Sequence, residues 1–207
     1  MESAVTIAER YQETIPVPRA IRFPVELIPP DDFDAERPET WPEVEGRLEY
    51  VKGRLLYMPP CGQLQQYTVT DLILALGPWL RAHSEFVLGT DEAGMILGGD
   101  ARAADAAIWR RSEVAPAGPH FQRVPPVLVA EVAGEDEDET ALHDKARWYL
   151  GAGVQVVWIV LPESRKVVVI DATEERRCRS GETLPSHPAV PGLAPRVDEF
   201  FVQISAL

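Results

Sequence analysis

Glu131 is an acidic residue in the middle of an apolar segment. Residues 125–133 read PPVLVAEVA, and Glu131 carries the only polar side chain among them. Moving an unpaired carboxylate out of water into an apolar interior costs several kcal/mol. The segment therefore predicts that Glu131 either has a cationic side chain as its partner inside the fold or binds something that is not protein.

Asp105 repeats this pattern in the segment AADAAIW, residues 103–109. Side chains alternate between the two faces of a strand, so Asp105 should share a face with Ala107, and Glu131 with Val129. If the two strands are neighbours, both carboxylates reach one spot, where their repulsion would raise one pKa. A divalent cation removes that conflict, and Mg²⁺ prefers carboxylate oxygens as ligands.

A lysine follows on the next predicted helix, within DETALHDKARWYLGAG. The apolar stripe of that helix contains Leu142, Ala146 and Tyr149, and Lys145 lies at its edge. A lysine in this position can extend to solvent or reach back toward the two acids. The residues alone leave two interpretations open: a metal site with a nearby ammonium group, or a buried ion network without a metal.

The surrounding pattern predicts the elements that position these residues. Turn residues at 51–53 predict a hairpin over 47–58, and apolar residues at helical spacing predict a helix over 64–84. Strand, helix and strand over 126–161 fit a crossover unit, so part of the sheet should be parallel. The other expected elements are strands over 86–90, 103–109 and 166–172, and a helix over 138–151 that Asp136 or Asp138 can cap.

The N-terminal segment differs in composition from the remainder of the chain. Residues 1–44 are rich in proline and acids, which predicts an arm over 1–40, with one short helix at most, before a domain over 41–207. No apolar run approaches the ~18 residues of a membrane span, and the N-terminus lacks the pattern of a secretory signal. Cys61 and Cys178 form neither a disulfide framework nor a CxxC motif, so we expect a cytoplasmic protein.

The net charge is −13, from 33 acidic and 20 basic residues. Nucleic-acid-binding proteins usually carry a basic footprint, whereas this chain as a whole repels phosphate. Any role on nucleic acid must therefore depend on a local basic patch, on metal ions, or on both.

The same residues resemble the Uma-two family of predicted restriction endonucleases, within the PD-(D/E)xK nuclease superfamily. The resemblance runs from about Trp41 to Phe201. It includes the hairpin LEYVKGRLLYMPP, Asp105, Glu131, the string KARWYLGAGVQVVWIV and the closing VPGLAPRVDEFF. It implies an α/β, restriction-endonuclease-like fold, a mixed β-sheet flanked by helices.

The resemblance also implies a mechanism, metal-assisted hydrolysis of phosphodiester bonds in DNA. Asp105 and Glu131, with the backbone carbonyl of Val132, would hold Mg²⁺ or Mn²⁺, while Lys145 would orient the attacking water or stabilise negative charge. Glu49 would supply a further ligand or position Lys145. Nucleases of this fold often act as homodimers, because cutting both strands needs two sites, and the apolar segment 20–30 is a candidate interface.

The resemblance implies that the superfamily's lysine, which would fall at Ala133, has moved in this family to the helix position that Lys145 occupies. The chain departs from the family pattern at two positions: Ala104 stands where a proline is usual, and Gln65 where a histidine is common. Together with the negative charge, these departures favour an alternative function, a catalytically inactive nuclease fold that serves as a binding or assembly scaffold. Taken as isolated residues, Glu49 would be a solvated strand residue and Gln65 a surface helix residue.

Overall fold

The structure, a computed structural model, describes residues 23–116, 121–134 and 137–206. Within these residues a single sheet of nine strands is flanked by two α-helices, α1 (Gln63–Ala82) and α2 (Glu139–Gly151). The strands are β1 (Val25–Leu27), β2 (Arg47–Val51), β3 (Arg54–Met58), β4 (Phe86–Leu97), β5 (Asp100–Arg110), β6 (Leu128–Val132), β7 (Val156–Leu161), β8 (Lys166–Asp171) and β9 (Glu175–Arg179). Short 3-10 helices span Pro38–Thr40, Val197–Phe201 and Gln203–Ala206.

The sheet is mixed, as the sequence predicts. Its order is β1-β3-β2-β5-β6-β7-β8-β9, with β4 paired to β5. Strands β6 and β7 are parallel because α2 carries the chain from the end of one back to the start of the other, while the other described pairs are antiparallel. The predicted α/β class and the crossover over 126–161 are confirmed.

Each helix buries its apolar stripe against a different face of the sheet. Leu72 and Leu76 of α1 belong to the same buried cluster as Ile108 and Leu128 of the central strands. On the other face, the cluster contains Leu142, Ala146 and Tyr149 from α2 together with Val129 and Ile159. The central strands β5, β6 and β7 are therefore covered on both sides, and any polar side chain on them is enclosed between layers.

The turn of the β2–β3 hairpin explains its local sequence. Lys52 and Gly53 have φ of 51° and 79°, the pair of positive values that a two-residue type I′ turn requires.

At the start of α2, Asp138 accepts a hydrogen bond of 2.7 Å from the Ala141 N–H, so Asp138 is the cap; Asp136 lies outside the described residues. Strand β4 continues to Leu97, well beyond the predicted 86–90.

Both ends of the sheet differ from what the sequence pattern predicts. The arm was expected to hold one short helix at most, yet residues 25–27 form β1 and pair with β3; residues 1–22 lie outside the described residues. At the other end of the sheet, residues 175–179 form β9 and pair with β8; the sequence pattern predicted no element there. No described helix is both long enough and apolar enough to cross a membrane.

Candidate functional site

Asp105 and Glu131 lie on adjacent antiparallel strands. Ala106 of β5 is paired with Ala130 of β6, so Asp105 and Glu131 each stand one residue from that pair, at the same level of the sheet. Asp105 also lies at a β-bulge, because the pairing of β4 with β5 shifts between Thr90 and residue 93. A bulge changes the direction of the side chain beside it. The expected alternation along β5 is accordingly broken, and Ala104, not Asp105, belongs to the same buried cluster as Ala107.

The carboxylate of Asp105 is held by β6 and faces α1. Its Oδ2 accepts a hydrogen bond of 2.7 Å from the Val132 N–H. The side-chain Nε2 of Gln65, in the first turn of α1, lies 3.4 Å from both oxygens of Asp105 and 3.0 Å from the Val132 carbonyl oxygen. Gln65 is thus not the surface helix residue that the sequence suggested, because its amide joins α1 to both strands.

Glu131 takes its partners from α2. Its Oε2 lies 3.3 Å from the Lys145 Nζ, and its Oε1 accepts a hydrogen bond of 2.6 Å from the Tyr149 hydroxyl. Lys145 also donates to Glu137, at 2.7 Å. Glu131 is 1% exposed, and of the two alternatives that the sequence left open for it, a cationic partner inside the fold is present in the form of Lys145. Lys145 reaches back to the acid from the edge of the apolar stripe.

Glu49 is enclosed on β2 and contacts arginines. It is 2% exposed, so the interpretation as a solvated strand residue is wrong. Its Oε2 accepts from Arg102 Nη1 at 2.7 Å, and its Oε1 lies 3.9 Å from the Nε of Arg47. The guanidinium of Arg102 lies 5.1 Å from the centre of the Trp148 ring. The charged partners that Glu49 contacts are therefore arginines, and Lys145 is held by Glu131 and Glu137.

Arg47 brings a second cation to the acids. Its Nη1 lies 4.0 Å from Asp105 Oδ1, and its Nε has no hydrogen-bond partner among the residues that the structure describes. Burial opposes its charge, but the carboxylates of Glu49, Glu131 and Asp105 hold the pKa of Arg47 above its usual value. This guanidinium is close to several acids without a short contact to any described one.

Burial and charge act in opposite directions on the pKa values of the cluster. Burial raises the pKa of Glu131 to about 7, against the opposing effect of Lys145, and burial likewise raises the pKa of Asp105. Burial would lower the pKa of Lys145, but the charges of Glu131, Glu49 and Glu137 raise it above its ordinary value. Lys145 consequently carries its positive charge at neutral pH.

A cleft of about 780 Å³ opens onto this cluster. Asp105, Arg47, Gln65 and Glu137 line it, whereas the remaining lining is largely apolar. The apolar lining residues are Phe23, Pro24, Met58, Pro59, Pro60, Val69, Ile73 and Leu74. Glu131, Lys145 and Tyr149 do not line the cleft, so Asp105 and Glu137 are the acids through which a ligand in the cleft would meet the cluster.

The donor atoms around Gln65 suit a hard divalent cation. Both oxygens of Asp105 and the carbonyl oxygen of Val132 lie within 3.4 Å of one atom, the Gln65 Nε2, whose hydrogens carry partial positive charge. Each oxygen of Glu131 accepts one contact and has a further lone pair. Within the described ranges, no group of three His, Cys, Asp or Glu side chains could hold a metal, but Mg²⁺ is usually bound by one or two carboxylates together with waters and substrate phosphates.

Comparison with known proteins shows the family of the chain. A family model described as "Uma2: Putative restriction endonuclease" matches residues 35–198. The chain belongs to the Uma2 family. A crystal structure described as a putative nuclease belonging to DUF820 from Anabaena variabilis ATCC 29413 has a TM-score of 0.71 at 15% identity, over 82% of this chain and 98% of that one. No curated protein matches the chain.

Membership of the Uma2 family and the shared fold confirm the predicted resemblance and the nuclease-like architecture. Four residues of the site were not predicted as members: Arg47, Gln65 in its actual role, Glu137 and Tyr149. Arg47 stands two residues before Glu49 on β2, and Tyr149 stands four residues after Lys145 on α2. Strand and helix periodicity place such pairs on a common face, so the positions of Arg47 and Tyr149 could have been predicted from the sequence.

Proposed function

We propose that this Uma2 protein is a divalent-metal-dependent endonuclease that hydrolyses phosphodiester bonds of DNA. Asp105, Glu131 and the Val132 carbonyl would hold Mg²⁺ or Mn²⁺. The observation that carries the proposal is the convergence of the Asp105 carboxylate and the Val132 carbonyl on one donor atom, at the wall of an open cleft. The family's description as restriction endonucleases supports DNA as the substrate.

The chain's own groups have distinct tasks in this proposal. The chemistry that bound Mg²⁺ or Mn²⁺ supplies is polarisation of the scissile phosphate and a lowered pKa of a coordinated water. Because the raised pKa of Lys145 keeps it charged, it acts as an ammonium donor toward negative charge and not as a general base. The Val132 N–H fixes the Asp105 carboxylate, and Tyr149 fixes that of Glu131.

Glu49 would act through an arginine. Its carboxylate lies against Arg102 and Arg47, which favours the role of holding Arg47 beside Asp105 over the role of a metal ligand. We expect the active form to be a homodimer, since cutting both strands of a duplex needs two sites. The dimer and a cytoplasmic location both stay predictions, and sedimentation of the purified protein tests the first.

A second candidate function, the inactive scaffold, is favoured by the partners of Glu131. Both of its oxygens are already engaged, by Lys145 and by Tyr149. A buried network that satisfies its own charges needs no metal, and a net charge of −13 disfavours nucleic acid.

Calorimetric titration with Mn²⁺ separates the two functions. The endonuclease proposal expects binding that Asp105→Asn abolishes and that Asp144→Asn leaves intact. Asp144 is a matched control because it also removes one carboxylate charge, from the exposed surface of α2. Plasmid cleavage in the presence of Mn²⁺ should likewise be lost in Asp105→Asn and retained in Asp144→Asn. Absence of binding at millimolar Mn²⁺ would contradict the metal site and support the scaffold.

A further inference from the structure

The cleft beside Asp105 restricts the form of substrate that can reach the site. We propose that it binds an unpaired segment of nucleic acid, with a phosphate on Arg47 and the bases against the apolar wall. The inference rests on the proposed function and narrows its substrate from DNA in general to single-stranded, flap or locally opened DNA.

Arg47 is the group in the cleft that suits a phosphate. Its guanidinium lines the cleft and lies 4.0 Å from Asp105. The contacts of Arg47 with Glu49 and Asp105 are long, at 3.9 and 4.0 Å, so its planar fork keeps donors for a bidentate contact. A phosphate placed there lies next to the carboxylate proposed to hold the cation.

The remaining wall suits unpaired bases. Val69, Ile73 and Leu74 of α1 line the cleft, and so do Phe23 and Met58. Leu74 is 67% exposed, although it is a large apolar residue. In a duplex the faces of the bases are stacked on one another, so a concave apolar surface can contact them only after they are unpaired.

The charge around the cleft disfavours a duplex. A double helix is held mainly by several Lys or Arg contacts to its phosphates. Among the described residues that line the cleft, Arg47 is the only Lys or Arg, and two acids, Asp105 and Glu137, line the same cleft. A single cation flanked by an apolar wall matches one phosphate and its neighbouring bases.

Binding in EDTA tests the cleft without reference to the metal. The probes are a fluorescent oligothymidylate of about 12 nucleotides, within the site sizes of single-strand binders, and a hairpin duplex of equal length. We expect the single strand to bind at least ~10-fold more tightly than the duplex. A base that stacks on side chains strengthens binding on the order of tenfold, and a duplex cannot make this contact.

Two matched variants locate the binding surface. Leu74→Glu adds one negative charge to the cleft wall, and Val202→Glu adds the same charge at a residue of similar exposure, 61%, that does not line the cleft. Leu74→Glu should weaken single-strand binding at least ~10-fold, while Val202→Glu should leave it within twofold. Binding of Mn²⁺ by calorimetry should be the same in both variants.

The outcomes are distinguishable from those of the proposed function. Equal binding of duplex and single strand, or equal losses in Leu74→Glu and Val202→Glu, would overturn the cleft inference even in a chain that binds Mn²⁺ and cuts DNA. Conversely, a chain that prefers the single strand in EDTA but binds no Mn²⁺ would support the cleft and overturn the endonuclease proposal.

Discussion

The carboxylate of Asp105 accepts a hydrogen bond of 2.7 Å from the backbone N–H of Val132. The N–H and C=O of one strand residue point to the same edge, and the carbonyl of Val132 accepts its bond from Gln65. The side chain of Asp105 therefore takes the place of a strand-pairing bond at the end of β6. This relationship holds an acid and a carbonyl oxygen on the same side of the strand, as a shared cation requires.

Gln65→Glu should strengthen metal binding. The variant replaces the amide donor at the meeting point of Asp105 and Val132 with a carboxylate, and metal affinity rises with the charge of the ligand set. We expect the dissociation constant for Mn²⁺, measured by calorimetry, to fall on the order of tenfold. Gln66→Glu, on an exposed neighbour of the same helix, should change it little, and equal effects of the two variants would place the metal elsewhere.

Lys145→Met should destabilise the protein strongly. The substitution leaves Glu131 buried without its ammonium partner, and breaking such a pair costs about 3–5 kcal/mol. Urea unfolding at pH 7 measures the loss. The double variant Lys145→Met with Glu131→Gln should recover part of it, because no carboxylate is then left unpaired at that position. Additive losses would show that the two side chains do not interact.

Stability in EDTA should fall as pH rises toward 7. Burial raises the pKa of Glu131 from 4.5 to about 7, so between these values the folded state keeps a proton that the unfolded state has lost. The contribution of Glu131 to the free energy of unfolding is constant below pH 4.5, declines through this window and is constant again above it. At about 1.4 kcal/mol per pKa unit the decline is about 3 kcal/mol. Glu131→Gln should remove this decline in urea unfolding at several pH values, and an unchanged pH profile would refute the assignment.

Glu49→Gln should lower the stability of the protein without changing its affinity for Mn²⁺. Removal of the charge weakens the bond to Arg102, and hydrogen bonds to charged groups contribute about 1.5–3 kcal/mol. We expect a loss of that order in urea unfolding, with the affinity for Mn²⁺ unchanged. Glu26→Gln, which removes an exposed ion pair with Arg54, should leave stability unaltered. A large loss of Mn²⁺ affinity in Glu49→Gln would instead make Glu49 a metal ligand.

The sequence predicts the central part of the molecule well because periodicity and burial agree there. An acid in an otherwise apolar strand is conspicuous, so Asp105 and Glu131 were identifiable. Helical spacing placed Lys145 at the edge of the apolar stripe, from which it reaches Glu131. The edge strands lack such a signal. β1 has three residues, and β9 reads ERRCR, with one buried residue. A polar edge strand alternates too weakly to be distinguished from a loop.

The role of Gln65 could not be predicted from the sequence, for a different reason. Its partners, Asp105 and Val132, are 40 and 67 residues away in the chain, and nothing in the local helix pattern distinguishes it from Gln66. Glu137 likewise gains its importance from its contact with Lys145 across the turn into α2. Such contacts depend on how the layers pack together.

The position of a bound metal tests the central claim most directly. A crystal of the protein soaked in Mn²⁺, with anomalous scattering recorded, should show one peak within about 2.0–2.4 Å of an Asp105 oxygen and of the Val132 carbonyl, the range for hard cations. The Gln65 amide nitrogen should then no longer donate a hydrogen bond to the Val132 carbonyl oxygen. A peak elsewhere, or none with Gln65 still bonded to Val132, would contradict the proposed metal site.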